Sequence, residues 1–427
     1  MTAPRGFARL ILAALIAAAG GGSLVRAQTM QSMTFDQAIA RAIERNPTIA
    51  IAATAITRSQ VLVQETRSGL MPFASVNVAN VTIDNARSFG GTTTQPQNQF
   101  FVSPNVSWQV LSLWQRSIVN QARDQIDVNT KATAETRQAI AVATAEAYLA
   151  VIAMRRELDV DLSALEAARA HLSYADKRLE GGVGSRLNQL RAAQEVEITD
   201  ARVEAVRILL RRAQEALGVL VVADGPVDAT AEPVFEVPSS IQESEWAAAR
   251  PDLQLQASIK KSSERIIKDA FKDWLPTAAV SFDPQFVGPA GAFQPGNTWR
   301  LTLSVSQPLF KGGLRRNLDA RLADVTLTQA NLADAQIRTQ ARSEIRMAQE
   351  ALAGSERALV SSRRASDHAA EVLKITTTAF EVGATTNIEV IDAQRSARDS
   401  ASAAALAEDA VRRARLDLLV ALGKFPK

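Results

Sequence analysis

The 427-residue chain contains no cysteine, two histidines and few aromatic side chains, 5% in all. Without cysteine there is no disulfide framework and no thiolate metal site. The lipid-modified cysteine that some exported bacterial proteins carry behind a leader is also missing. The histidines, His171 and His368, both fall in long helical stretches and neither has a second ligand at helical spacing. Each is expected to be a solvated or packed side chain, with no metal site. No nucleophile elbow and no metalloprotease motif is present, so no catalytic residues and no cofactor are expected. Sparse aromatics and abundant alanine suit long packed helices better than a thick globular core.

Long hydrophobic runs are also lacking. Arg5 and Arg9 precede an apolar run, Leu10 to Ala19, that is too short to span a bilayer as a helix. With the small-residue site Val25-Arg26-Ala27, residues 1–27 read as an export leader, and the mature chain is expected to start near Gln28. The leader takes three of the 48 basic residues and no acids, leaving 45 basic against 45 acidic. The excess of basic charge therefore belongs to the leader and gives no reason to expect a nucleic-acid partner.

What the chain does contain is a long internal repeat. Asn46-Pro47 is followed 25 residues later by Met71-Pro72, and Arg250-Pro251 by Leu275-Pro276 at the same interval. The two sets lie 204 residues apart. Gly182-Val183-Gly184-Ser185 answers Gly383-Ala384-Thr385-Thr386 at an offset of 201. The spacing divides the mature chain into a first repeat (28–217), a joining segment (218–246) and a second repeat (247–427). Each repeat is expected to hold a helix, two strands and a helical hairpin. Neither is expected to close a core alone. Pro226, Pro233 and Pro238 interrupt the joining segment, where no period holds.

From Ser112 to Glu180 there is no proline or glycine, and from Leu314 to Val382 only Gly354. As helix, each stretch would extend about 100 Å at 1.5 Å per residue. Apolar residues recur in steps of seven at Val151, Leu158, Leu165, Leu172 and Leu179. They do so again at Ile345, Leu352, Leu359, Leu373 and Phe380, with Ser366 in the one gap. That step predicts a left-handed coiled coil. Each helix ends at a glycine cluster, where the chain turns and returns as a second helix, with Ser185 or Thr386 placed to cap it. No strand is predicted before either cluster, which a phosphate-binding loop would need.

Between the first helix and the long helix of each repeat lie two alternating segments. Val102, Val106, Trp108 and Val110 alternate with Ser103, Asn105, Ser107 and Gln109. Trp299, Leu301, Leu303 and Val305 alternate with Thr298, Arg300, Thr302 and Ser304. Ala278, Val280, Phe282 and Phe286 behave likewise. Phe73–Asp84 changes frame between Val78 and Val81, which predicts a bulge or a local twist. About ten residues with one apolar and one polar face suit a membrane β-barrel. A soluble sandwich with one wet face is the alternative. Four strands in lipid leave open edges, so closure needs other chains: two would give eight strands, three would give twelve with room for a channel.

Four motifs occur in order within this duplication: Phe35-Asp36-Gln37-Ala38-Ile39 with Asn46-Pro47; Arg250-Pro251-Asp252-Leu253; Ser306-Gln307-Pro308-Leu309-Phe310-Lys311-Gly312-Gly313; and Ile388-Glu389-Val390-Ile391-Asp392-Ala393-Gln394. Together they resemble the TolC-type outer-membrane efflux family. The resemblance implies a mainly α protein with a β-barrel part. Duplicated long coiled-coil hairpins would form a periplasmic tunnel, and four transmembrane strands per chain would build a 12-stranded barrel as a homotrimer in outer-membrane lipid. It implies a passive duct for efflux or type I secretion, serving a periplasmic adaptor and, through it, an inner-membrane pump. The tip residues Gly182, Val183, Gly184, Ser185, Gly383, Ala384 and Thr385 would then meet the adaptor, and Glu389 and Asp392 would line an acidic constriction. Some members tie the tip with a tyrosine, an arginine and an aspartate. Here those places hold Phe380, Thr385 and Asn188, so the expected gate is one held mainly by packing around Phe380. The basic cluster Arg412, Arg413 and Arg415 is expected to be a solvated or inter-helical face. A coiled-coil adaptor without a channel and an exported hydrolase are the rival classes. An adaptor would have one hairpin, not two. A hydrolase would need convergent polar residues that do not stand out.

Overall fold

The computed structural model describes residues 31–238, 242–309 and 313–426. The expected leader lies outside them, as do Phe310, Lys311 and Gly312 of the strand-to-helix motif. In chain order the elements are β1 (Gln31–Met33), α1 (Phe35–Arg45), α2 (Pro47–Ser68), β2 (Phe73–Thr82), β3 (Arg87–Phe89), β4 (Thr92–Gln95) and β5 (Asn98–Leu111). The first hairpin follows as α3 (Leu113–Glu180) and α4 (Arg186–Leu220), then β6 (Val227–Ala229). The order then repeats: α5 (Glu243–Ala249), α6 (Pro251–Ala270), β7 (Thr277–Gly288), β8 (Asn297–Ser306), α7 (Gly313–Glu381) and α8 (Asn387–Ala421).

The paired prolines set helix starts. Pro47 and Pro251 each open a helix, and the residue before each is held extended, Asn46 at φ −66°, ψ 124° and Arg250 at φ −67°, ψ 122°. Proline forbids that residue the helical conformation, which breaks α1 from α2 and α5 from α6. The residue at each break ties back to the end of its own return helix. Asn46 Nδ2 donates to the Leu220 carbonyl at 3.1 Å, and Arg250 Nη1 donates to the Ala421 carbonyl at 3.0 Å. Different side chains thus make the same connection in the two repeats. Arg250 also binds Asp252 at 2.7 Å and Glu344 at 2.8 Å, which compensates its burial.

The long helices run 68 and 69 residues, about 100 Å each. α3 is the inner helix: Val151 and Leu165 of its heptad series are buried, with Asp161, Ala168 and Ala175 filling the alternate positions. It contains a stretch apolar enough to cross a membrane by length and composition. In the middle of the helix Ala141, Ala145, Tyr148, Leu149, Val151 and Ile152 are all buried in the core.

Four strands form one antiparallel sheet in the order β2-β5-β7-β8. Its registers align Val76 with Pro104, Val106 with Phe282 and Phe282 with Leu301. One face therefore carries Ala74, Val76, Val78, Val102, Val106, Trp108, Val280, Phe282, Trp299, Leu301, Leu303 and Val305. The other carries Ser75, Asn77, Ser103, Asn105, Ser281, Asp283, Arg300 and Thr302. On the polar face Asp283 accepts hydrogen bonds from Asn105 Nδ2 and from Ser281 Oγ. The bulge expected in β2 is absent: its ladder to β5 is continuous from Phe73 to Thr82. The irregularity lies instead between Gln109 and Leu111, on the β5–β7 side. Val81 leaves the apolar frame because β2 is ending there, not because the strand slips. The loop between β2 and β5 adds an unexpected hairpin, β3–β4.

The main core clusters lie in a belt midway along the helices. β1 pairs in parallel with β6, which brings the joining segment onto α1 and α3. Met33, Ala38, Tyr148, Val151, Leu217, Val227 and Ala229 form one cluster there. The first repeat thus builds this cluster only together with the joining segment. Its polar needs are met by the parallel strand pair and by Tyr148. Two further clusters follow. One sets Ala141, Ala145 and Leu149 against Leu416, Leu419 and Phe425. The other gathers Trp246, Leu253, Ile345, Leu418 and Leu422. Beside them an ion network links Arg156 to Glu232 and Glu408, Arg363 to Glu408, and Arg412 to Glu232 and Asp409. Arg415 reaches Glu356 on α7, so the basic cluster does serve an inter-helical face.

Tyr148 is fully buried, and its hydroxyl donates to the Ala231 carbonyl at 2.8 Å while lying 3.2 Å from the Met33 carbonyl. Tyr148→Phe leaves those buried groups short of a partner and is expected to cost about 1–3 kcal/mol. Thermal or denaturant unfolding of the detergent-solubilised protein measures this.

Candidate functional site at the paired helical tips

The two glycine clusters adopt the same local structure. At the first, the Val183 amide donates to the Arg178 carbonyl and the Gly182 amide to the Leu179 carbonyl, both at 3.0 Å. At the second, Ala384 donates to Ala379 at 2.7 Å and Gly383 to Phe380 at 3.1 Å. These paired bonds close a helix end only if one residue is left-handed, and Gly182 and Gly383 supply it at φ 76° and 81°. Ser185 Oγ then accepts from the Leu187 amide and caps α4, whereas Thr386 makes no side-chain cap on α8. Thr385 is half-buried and its hydroxyl has no hydrogen-bond partner. Val183 and Val382 protrude, 70% and 76% exposed.

Between the tips lies a cleft of about 410 Å³, lined by Val183, Ser185, Asn188, Phe380, Thr385 and Asn387 among others. Phe380 is buried here, its ring 5.3 Å from His171 and 5.6 Å edge-on from Tyr174. The Arg178 guanidinium sits 5.6 Å from the same ring. Packing around Phe380 is thus present, but it does not act alone. His171 Nε2 lies 2.8 Å from Asn387 Oδ1, and Asn387 Nδ2 donates to the Asn188 carbonyl at 3.4 Å. The Tyr174 hydroxyl donates to the Glu381 carbonyl at 3.3 Å. Beside that packing, polar bonds join the two hairpins within the chain through residues other than Phe380, Thr385 and the Asn188 side chain. His171, expected from the sequence to be solvated or packed, is packed and also hydrogen-bonded to Asn387. His368 is exposed.

Glu389 and Asp392 lie on the first turns of α8, and both are exposed, while Val390 and Ile391 between them are buried. They share one face, as residues three apart on a helix do. Arg395 Nε donates to the buried Glu195 at 2.9 Å, with Asp392 adding a weaker electrostatic attraction, and Arg398 Nε donates to Asp399 at 3.2 Å. Among the described residues neither Glu389 nor Asp392 enters an ion pair, and no group of three or more side chains is gathered to hold a metal.

The chain matches the family model described as "Outer membrane efflux protein" over residues 38–221 and again over 243–424. The outer membrane protein OprJ of Pseudomonas aeruginosa is 25% identical over 295 residues, 66% of this chain; the match spans 60% of OprJ's own length. The fold is that of the Campylobacter jejuni CmeC outer membrane channel, with a TM-score of 0.78 at 15% identity over 91% of this chain and 85% of CmeC. The open-state MtrE channel of Neisseria gonorrhoeae gives 0.76 at 19% identity over 91% and 88%.

A Cβ on Gly184 would stand 2.6 Å from the Leu179 nitrogen and 2.7 Å from the Arg178 carbonyl carbon. Backbone atoms cannot yield as a flexible side chain does. Gly184→Ala is expected to weaken the first tip by roughly 1–3 kcal/mol, the usual scale of overpacking. Amide hydrogen exchange should rise across residues 178–188 and stay unchanged across 379–388.

Proposed function

Because the chain belongs to the outer membrane efflux protein family, we propose that it is the passive outer-membrane duct of an efflux or type I secretion system, built from three copies. The observation that carries this reading is the sheet. Its strands present one apolar and one polar face, and its edge strands β2 and β8 are unpaired within the chain. Lipid tolerates no unpaired edge, so β8 of one copy must meet β2 of the next. Twelve strands then enclose a lumen lined by serine, asparagine, aspartate and arginine.

The helices support the same assembly. Leu318, Leu322, Val325 and Leu332 form an exposed apolar stripe on α7 at coiled-coil spacing. On the opposite flank α2 exposes Ile51, Val61 and Leu62. A neighbouring copy is the natural cover for both. The tunnel is then walled by the hairpins of three chains, and the tips at Gly182–Ser185 and Gly383–Thr385 lie furthest from the barrel. In this reading they meet a periplasmic adaptor, which couples the duct to an inner-membrane pump. Glu389 and Asp392 then contribute six carboxylates around the axis, which favours cations at the narrowest point. The exposure of both side chains supports this, since a buried carboxylate would not act on passing ions.

Conductance in planar bilayers tests the reading. The purified protein is expected to conduct, with cation selectivity and block by multivalent cations. Replacing Glu389 and Asp392 together with alanine should bring the cation-to-anion permeability ratio toward one and relieve the block. Unchanged selectivity and block would remove these acids from the pore.

A further inference from the structure

We infer that His171 is a proton-operated latch: its neutral ring bonds Asn387 to hold the two hairpins of each chain together at the tips, and its protonation releases them. The inference rests on the duct reading for its consequence, opening, but its geometry stands within one chain.

His171 belongs to the first hairpin, on α3, about two turns from Arg178 and the tip. Asn387 belongs to the second, at the first position of α8. They are 216 residues apart and both are buried. The orientation of the amide decides the tautomer. Asn387 gives its Nδ2 to the Asn188 carbonyl, so the atom facing His171 is the acceptor Oδ1. Nε2 must therefore carry the hydrogen, and Nδ1 is bare in the neutral ring. A proton arriving from solution adds at Nδ1 and turns the ring into a buried cation.

That cation is poorly accommodated. The charged or titratable residues carried by the elements that meet at this end are Tyr174 and Arg178 on α3, Arg191 and Glu195 on α4, Lys374 and Glu381 on α7, and Glu389, Asp392 and Arg395 on α8. The direct partners of the ring are Asn387 and Phe380, neither of them a carboxylate, and the buried Glu195 is already taken by Arg395. Glu381 meets Tyr174 through its backbone carbonyl. Phe380, whose π-face could receive a cation, already has Arg178 against it, and the same guanidinium lies 5.9 Å from the Tyr174 ring. A second positive charge would share that ring with Arg178. Burial lowers the proton affinity of His171 more than the Asn387 bond raises it.

With the tips together, the ring thus binds a proton more weakly than the ordinary histidine value of 6.5. Once the tips part and the ring meets water, that ordinary value returns. The closed form is accordingly favoured above pH 6.5 and loses its advantage as pH falls below it, since the open form takes up the proton more readily.

The chain has no cysteine, so spin labels can be placed at single sites. Labels at Val183 and Val382, both protruding from the tips, report their separation in detergent without any need for conduction. In the wild type the distance distribution should be narrow at pH 7.5 and broaden or lengthen as pH falls below 6.5. His171→Gln keeps a donor for Asn387 but cannot titrate, and should abolish the change. Asn387→Asp turns the acceptor into a carboxylate that prefers the protonated ring, so acid should tighten the tips until the carboxylate itself is neutralised. An intact pH response in His171→Gln, no response in the wild type, or the same direction in Asn387→Asp would overturn the latch. Conductance on the same proteins, with the Glu389→Ala/Asp392→Ala background as control, links the tips to the pore. Proteins whose labels move with pH but which never conduct would overturn the duct reading and leave the latch standing.

Discussion

A sheet with two bare edges and one apolar face cannot exist alone in lipid, and the rest of this molecule follows from that constraint. Backbone groups along β2 and β8 need partners, and a bilayer supplies none. Among the described residues no strand provides them. Its four strands stop at the two edges, and its helices leave apolar stripes on the same two flanks, along α2 and α7. Sheet and helix wall are therefore incomplete in the same direction. In the proposed ring of identical chains, rotation about one axis would complete both at once.

Stability within one chain is concentrated elsewhere. The belt is where β1, β6, the middle of α3 and the ends of α4 and α8 converge, and it holds the three main apolar clusters and the Arg156–Glu232–Glu408 network. Below it the hairpins pack through alanines such as Ala168, Ala175, Ala192 and Ala393 together with Leu165, Val203, Val390 and Ile391. The three main apolar clusters do not reach the tips. A single buried hydrogen bond of about 1 kcal/mol carries weight there, whereas in the belt it would be one contribution among many.

The sequence revealed the features that local chemistry determines. The alternation from Trp299 to Val305 had to be a two-faced strand, and Gly182 and Gly383 had to end helices in the left-handed conformation. Pro47 and Pro251 marked the repeat, but the single first helix expected in each copy is two helices, broken just before the proline. The lining of the sheet followed from period alone. Long-range partners were not legible. Nothing near His171 announces Asn387, because their meeting depends on how two coiled coils cross 216 residues apart. The pairing of β1 with β6 was hidden for the same reason: three-residue strands carry no period to read. Val81 was misleading because strand ends relax the rule that interior positions obey. Val222 shows the limit from the other side. It takes a positive φ of 52° at the end of α4, where the second repeat has Gly423, and no β-branched residue signals that conformation in advance.

The most direct test of the central claim joins the two edges. Cysteines introduced pairwise along β2 and β8 of this cysteine-free chain should form disulfides between copies in outer-membrane fractions. A ring of three closes on itself, so the products should be monomer, dimer and trimer with nothing larger. Monomer alone at every register, or a ladder running past three, would contradict it.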